Sequence, residues 1–253
     1  MAFFVNKDSI VRQIWGKGDT ILFIFAGASA EFALNKAVDW LYFTGRLPAD
    51  PLGRLFSTVA YARQIVFSNY DEALYAIDKI TAIHKTVEEN RGAQIPDWAY
   101  RDVLFMLIDY SIRSFEILER KLTDEEKAET FDVFNRVGLR MGIPGLPANY
   151  PDWLLMRDEH LHQNLLRSEF TIDLYKQYRK HLGWVRYQLL KQAQILVVPT
   201  KVNSLLSLGN MRLLNPVLKL YKLSQLIKLE GLLKDAILPQ AYKIQIQNLD
   251  IQQ

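Results

Sequence analysis

The stretch from Asp50 to Gly92 reads DPLGRLFSTVAYARQIVFSNYDEALYAIDKITAIHKTVEENRG, and its apolar residues recur at spacings of three and four. This spacing predicts helices, because residues three and four apart share one helix face. Pro51, directly after Asp50, suits the first turn of a helix that runs through Phe67. A second helix is predicted at Asp71–Asn90, because acidic residues favour a helix start and Gly92 favours a C-cap.

Helical periodicity continues after this stretch. Thr123 and Glu126 form a capping box, which marks a helix start. The terminal IQIQNLDIQQ alternates weakly, as an extended tail would, and strand patterns are otherwise nearly absent. The further predicted helices are about 97–121, about 123–141, 152–168 and 171–192. The sequence therefore predicts an all-α fold.

The composition is that of an ordinary globular protein, with 49% hydrophobic and 23% charged residues in a chain of 253. The Pro- and Gly-rich linker GLRMGIPGLPANYP is too short to separate two independent domains, so we expect one multi-helix domain over residues 1–253. Cysteine is absent, which excludes disulfides, zinc thiolate sites, iron–sulfur clusters and a cysteine nucleophile.

Charge and hydropathy patterns restrict the partners and the compartment. The net charge is only +3 and is spread along the chain, so nucleic acid is not expected as a partner. The most apolar stretch, Thr20–Ala30, is shorter than the roughly 20 residues that cross a bilayer. The N-terminus lacks the pattern of a secretory signal, so the sequence predicts a cytoplasmic protein.

The C-terminal segment RLLNPVLKLYKLSQLIKLEGLLKDAIL combines leucine and isoleucine with Lys219, Lys222, Lys228 and Lys234. Such a basic amphipathic segment can lie on an anionic membrane surface, which predicts peripheral membrane contact. Its apolar residues cover more than one face, so two other interpretations stay open: the segment closes the core, or it forms a dimer contact.

His84 lies on the apolar face of the second predicted helix. Leu74, Ile77, Ile80 and Val87 share that face with it. A neutral imidazole among aliphatic side chains suits a haem iron ligand, because the ligand nitrogen must be unprotonated and shielded from water. The alternative is a structural histidine, since lone histidines are common in protein cores.

Arg54 and Thr58 lie one turn apart on the preceding helix, beside Leu55 and Val59. An arginine on a mostly apolar face requires an anionic partner, and haem carries two propionates. The alternative is a salt bridge from Arg54 to a helix acid, with the Thr58 hydroxyl bonded to its own helix.

The remaining sequence motifs give no support for another catalytic or binding function. His160 and His162 point about 200° away from each other on a helix, so they cannot share one metal ion. Phosphate-binding glycine loops, nucleophile elbows and His-Glu-x-x-His motifs are all absent from the sequence. Hydrolase and nucleotide-binding functions therefore have no support.

In order along the chain, several segments resemble the catalytic domain of the rubber oxygenases and MpaB-like oxygenases. The likeness covers about residues 18–160, and the C-terminal helices at 161–240 follow it. It begins with the segment GDTILFIFAGASAEFALNKAVDW. Its specific motifs are the Asp-Pro-x-x-Arg-Leu-x-x-Thr run at Asp50–Thr58, the Val66-Phe67 pair, the acid-Glu-Ala stretch at Asp71–Ala73 and the His-x-x-Val at His84.

The resemblance implies a helical fold with a globin-like core that binds haem b and uses dioxygen. Carried over by position, His84 would be the proximal iron ligand, and Arg54 and Thr58 would line the distal or propionate side. Ser57 stands where the rubber-cleaving branch carries lysine, which excludes a distal lysine ligand and argues against polyisoprene as the substrate.

The sequence therefore predicts a haem b-dependent oxygenase that oxidises a small hydrophobic substrate with dioxygen or peroxide. Two alternatives stay open. The chain is a haem-binding module without turnover, or it is a helical interaction module without haem.

Overall fold

A computed structural model describes residues 2–45, 50–211, 213–214 and 216; for residues 51, 52 and 54–56 it describes the backbone alone. The described residues form helices joined by short loops and two isolated β-bridges, without any strand. The helices are α1 Ile10–Trp15, α2 Gly18–Phe32, α3 Val38–Phe43, α4 Pro51–Phe67, α5 Tyr70–Arg91, α6 Asp97–Leu118, α7 Asp124–Arg140, α8 Tyr150–Gln163, α9 Glu169–Val197 and α10 Thr200–Leu206. The predicted all-α class is confirmed.

The centre of the fold is the packing of α2 against α6, with α9 covering another side of α2. Gly27 allows this close approach, because a Cβ atom there would lie 2.2 Å from the ring of Tyr110. Both helices contribute fully buried aliphatic residues, among them Ile21, Ile24 and Ile108. The polar side chains of α2 and α6 described below are therefore buried by this pair of helices.

The residues predicted to begin or end helices make the expected contacts. The Asp50 carboxylate accepts a hydrogen bond from the Gly53 backbone N–H at 2.8 Å, and Gly92 ends α5 in the left-handed conformation at φ 67°. Thr123 and Glu126 form the reciprocal capping box. Local sequence therefore determines where α4, α5 and α7 begin or end.

Three predicted helix boundaries were wrong. The helix predicted at 152–168 is α8, which ends at Gln163, because Ser168 instead caps α9 through a reciprocal pair of bonds with Thr171. The helix predicted to reach Lys121 ends at Leu118. The last one extends to Val197 and changes direction at Gly183, where φ is 72° and ψ is 170°.

Within the described ranges, no helix is long and apolar enough to cross a membrane. The predicted amphipathic segment from residue 217 onward and the terminal IQIQNLDIQQ lie outside the described residues.

Candidate cofactor site

His84 lies in the second half of α5, on the face that the helix turns toward the protein. Ala73, Ala76 and Ile77 are buried on this face near the start of the helix, and Ile80 and His84 are half-buried further along. The prediction that His84 shares the apolar face of its helix is confirmed. Its ring is nevertheless only half-buried, so it lies close to the protein surface.

The His84 ring is fixed by its own helix. Its Nδ1 lies 3.0 Å from the backbone carbonyl oxygen of Ile80, one turn earlier. A carbonyl oxygen only accepts hydrogen bonds, so in the neutral ring Nδ1 carries the proton and Nε2 carries the lone pair. Histidine ligands of metals use this arrangement, in which one ring nitrogen donates to a carbonyl while the other coordinates.

Tyr100, at the start of α6, contacts the same ring. The two ring centroids are 5.2 Å apart and the planes meet at 76°, an edge-to-face geometry. The Tyr100 hydroxyl donates to Glu88 at 3.1 Å, and the Ile95 N–H donates to the same carboxylate oxygen at 2.9 Å. Burial and the Glu88 carboxylate raise the pKa of Tyr100, so its hydroxyl remains a donor. These contacts hold α6 against His84.

The far end of α5 is also anchored. Arg91 pairs with Asp39 of α3 at 2.6 Å, and its guanidinium carbon lies 3.9 Å from the ring centroid of Trp40. Arg140 of α7 binds both oxygens of Asp78 at 2.7 and 2.8 Å. These ion pairs hold α5 against α3 and α7, and the Tyr100 contacts hold it against α6.

Arg54 and Thr58 belong to α4, which packs against α5. Arg54 lies 13 residues before the end of α4 and His84 lies 14 residues after the start of α5. At about 1.5 Å per residue, both backbones are about 20 Å from the turn that joins the two helices. Thr58 is half-buried and lies one helical turn nearer to the C-terminal end of α4. The assignment of these three residues to one site stays a prediction.

The orientation of His84 fits the requirement of a haem for one histidine from the protein. The part of the chain that the structure describes contains no group of three or more His, Asp or Glu residues that could hold a metal ion. Haem iron takes its other ligands from the porphyrin and requires one oriented histidine from the protein. The Nδ1–Ile80 bond provides that orientation.

A buried charge network lies between α2, α6 and α8, and the sequence reasoning missed it. Arg157 donates to Glu31 through Nη1 at 2.5 Å and through Nη2 at 2.6 Å. Its Nη2 also donates to Asp109 at 2.9 Å, and the Tyr110 hydroxyl donates to Glu31 at 2.7 Å. The sequence did indicate that Arg157 is buried, because Trp153, Arg157 and Leu161 share one face of α8 at a spacing of four.

The two histidines of α8 point in different directions, as predicted. His160 is buried and its Nδ1 contacts Asp102 of α6. The His162 side chain is 57% exposed, and its Nδ1 lies 2.8 Å from the backbone carbonyl oxygen of Asp158. The buried partner of His160 was not foreseen.

The model of one protein family matches residues 13–221 of the chain. That family is described as ER-bound oxygenase mpaB/B'/Rubber oxygenase, catalytic domain. The match extends past both ends of the region at 18–160 in which the sequence motifs were recognised. Comparison with curated proteins and with solved structures finds no significant match.

Proposed function

Because this chain belongs to the family of mpaB and rubber oxygenase catalytic domains, we propose that it is a haem b-dependent oxygenase with His84 as the iron ligand. The observation that carries the proposal is the bond between Nδ1 of His84 and the carbonyl oxygen of Ile80. It selects the tautomer in which Nε2 has the lone pair that coordination needs.

Each residue of the site has a separate task in this proposal. A bound haem would supply the redox chemistry that activates dioxygen or peroxide. His84 holds the cofactor and keeps its own ring oriented through Ile80 and Tyr100. Arg54 would bind a propionate carboxylate, and Thr58 would offer a hydroxyl donor to the bound group.

The substrate in this proposal is a small hydrophobic molecule. Ile77 and Ile80 share the inward face of α5 with His84, and Tyr100 of α6 contacts its ring. Val59 is buried on α4, which packs against α5. Apolar pocket walls bind apolar molecules because contact with them removes surface from water.

The absorption spectrum of protein expressed with added haem tests the proposal. We expect a Soret band in the wild type and its loss in His84→Gly, because no other described residue is proposed to bind the iron. Added imidazole should restore the band in His84→Gly by replacing the missing ring. The matched control is His162→Gly, which removes an exposed histidine and should keep the band.

Two results would contradict the proposal. One is wild-type protein without a Soret band after haem addition, and the other is a His84→Gly variant that keeps the wild-type band. Oxygen uptake with a panel of unsaturated lipids and isoprenoids then separates an oxygenase from a haem-binding module. Uptake that requires both substrate and His84 supports the enzyme, and a haem-loaded protein without uptake supports the module.

A further inference from the structure

A solvent-open cleft of about 300 Å³ lies beside the start of α6, between this helix and α8. Trp98 and Arg101 of α6 contribute to one wall, and Met156 and His160 of α8 contribute to the other. Tyr100, which contacts His84, is not among the lining residues. The cleft is therefore a different place from the candidate cofactor site.

A buried carboxylate holds the histidine of this cleft. Asp102 is 2% exposed and accepts hydrogen bonds from Asn35 at 2.7 Å and from Asn164 at 3.1 Å, as well as contacting Nδ1 of His160. The two amides donate to it, so the carboxylate acts as an acceptor and Nδ1 of His160 is its third donor. An aspartate bonded to Nδ1 fixes the tautomer of a histidine and stabilises the imidazolium that forms when Nε2 takes up a proton.

The opposite side of the imidazole ring is available to a ligand. Among the described residues, Nε2 of His160 has no hydrogen-bond partner, and it is not one of their buried unpaired atoms. His160 lines the cleft, and Phe105 supports its ring from the core at a centroid distance of 5.2 Å. Since Nδ1 faces Asp102, the ring edge that borders the cleft is the one that carries Nε2.

The other walls of the cleft favour a particular ligand chemistry. Arg101 is held by the carbonyl of Pro144 through Nη1 at 2.6 Å, which leaves further N–H donors on the guanidinium. Trp98 and Met156 offer an aromatic face and a polarisable thioether to an aromatic ring. The exposed Glu159 carboxylate also borders the cleft, and it repels ligands that arrive as anions.

We propose that this cleft binds a neutral aromatic alcohol whose hydroxyl donates a hydrogen bond to Nε2 of His160. Asp102 holds Nδ1 as the donor side of the ring, so Nε2 presents the lone pair that accepts the ligand proton. Arg101 offers N–H donors to the ligand oxygen. This binding does not depend on the proposed haem.

Fluorine NMR with 4-fluorophenol as the probe tests this proposal on the full-length protein. The fluorine chemical shift of this molecule changes when its hydroxyl group is hydrogen-bonded. Carbon monoxide under reducing conditions keeps any bound haem diamagnetic. We expect a saturable change of the fluorine shift, whereas 4-fluoroanisole, which has no hydroxyl proton, should bind at least about tenfold more weakly.

His160→Asn is the matched variant, because the asparagine amide nitrogen occupies the place of Nδ1 and can still donate to Asp102. It removes Nε2, so we expect binding weakened by about tenfold, the size expected for loss of one hydrogen bond. Thermal unfolding shows whether the variant is folded.

A second measurement needs no change in the Asp102–His160 pair. With methyl-labelled methionine, the signal of Met156, assigned through Met156→Leu, should move as 4-fluorophenol is added to the wild type. Three results would overturn the proposal: no saturable binding, 4-fluoroanisole that binds as tightly as 4-fluorophenol, or a Met156 signal that does not respond. A folded His160→Asn variant that behaves as the wild type would overturn it as well.

Discussion

Arg157 and Glu31 form a two-bond ion pair in the core, with side chains that are 5% and 1% exposed. The pair joins α8 to α2 across 126 residues of sequence. Asp109 accepts from the same guanidinium, and Tyr110 donates to the same Glu31 carboxylate, so each charge has partners from more than one helix. Buried charges are tolerated when they are paired and hydrogen-bonded in this way.

Replacing Arg157 by methionine should lower the free energy of unfolding by about 3–5 kcal/mol, the range for removing one partner of a buried ion pair. The variant leaves Glu31 buried opposite an apolar side chain. Urea unfolding followed by circular dichroism measures the change.

The matched control for this prediction is Arg167→Met, because Arg167 is exposed beyond the end of α8. Its effect should stay within about 0.5 kcal/mol. The double variant Glu31→Leu with Arg157→Met should be less destabilised than the single Arg157→Met variant, because it removes the unpaired charge. A single variant as stable as the wild type would show that the pair contributes nothing.

Acid should destabilise the protein partly through Asp109. Burial raises the pKa of this carboxyl, but Arg157 and Arg113 outweigh burial and hold the pKa below its ordinary value of 3.8. A carboxyl whose pKa is lower in the folded state stabilises the fold above its unfolded pKa, and this stabilisation is lost as the pH falls through the folded value. The free energy of unfolding should therefore decrease as the pH falls below about 4.

Urea unfolding of the wild type and Asp109→Asn across this pH range tests the assignment. The stability difference between them should be largest near neutral pH and should shrink in acid. Both proteins are made on a Glu126→Gln background. Arg120 lowers the pKa of Glu126 to about 2, so Glu126 would otherwise add a second acid transition. A difference that stays constant with pH would assign the acid sensitivity to other groups.

The helices were predictable where the signal is local. Asp50, Gly92 and the Thr123–Glu126 pair each act on a neighbouring backbone group, so the sequence alone indicates their role. The boundary at Gln163 was missed because Ser168 suits either the end of one helix or the cap of the next. Its bond to Thr171, which decides between the two, becomes visible only in the structure.

In the candidate site, too, only the local features were predictable from the sequence. The position of His84 on the inward face of its helix follows from spacings of three and four, and its bond to Ile80 lies within one turn. The partners of Arg157 and His160 lie 48 to 126 residues away, on α2 and α6. No periodic pattern within one helix identifies such partners, because they depend on how three helices pack.

Arg54 should affect haem retention more than its neighbour Ser57. If Arg54 binds a propionate, Arg54→Ala removes a hydrogen bond between charged groups, which weakens haem binding by about tenfold or more. Ser57→Ala removes a hydroxyl that has no proposed contact with the haem, so haem retention should be nearly unchanged. The ratio of Soret to protein absorbance after gel filtration measures retention. Equal retention in the two variants would remove Arg54 from the site.

The C-terminal segment should bring the protein to anionic membranes. Its Leu and Ile residues are interspersed with Lys219, Lys222, Lys228 and Lys234, so apolar and basic side chains can contact a lipid surface together. Anionic lipid attracts each lysine near the surface by about 1 kcal/mol, and salt screens this attraction. In liposome flotation we expect association at low salt and release at high salt.

A variant with Lys219, Lys222, Lys228 and Lys234 all changed to glutamine tests whether these lysines cause the association. It keeps the apolar residues and removes the charge, so it should remain folded and stay unbound at low salt. Truncation after Gly209 separates the membrane role from a core-packing role. If the segment only contacts the membrane, the truncated protein should unfold at the same temperature as the full chain and lose flotation. A truncated protein that fails to fold, together with a full chain that never floats, would assign the segment to the core instead.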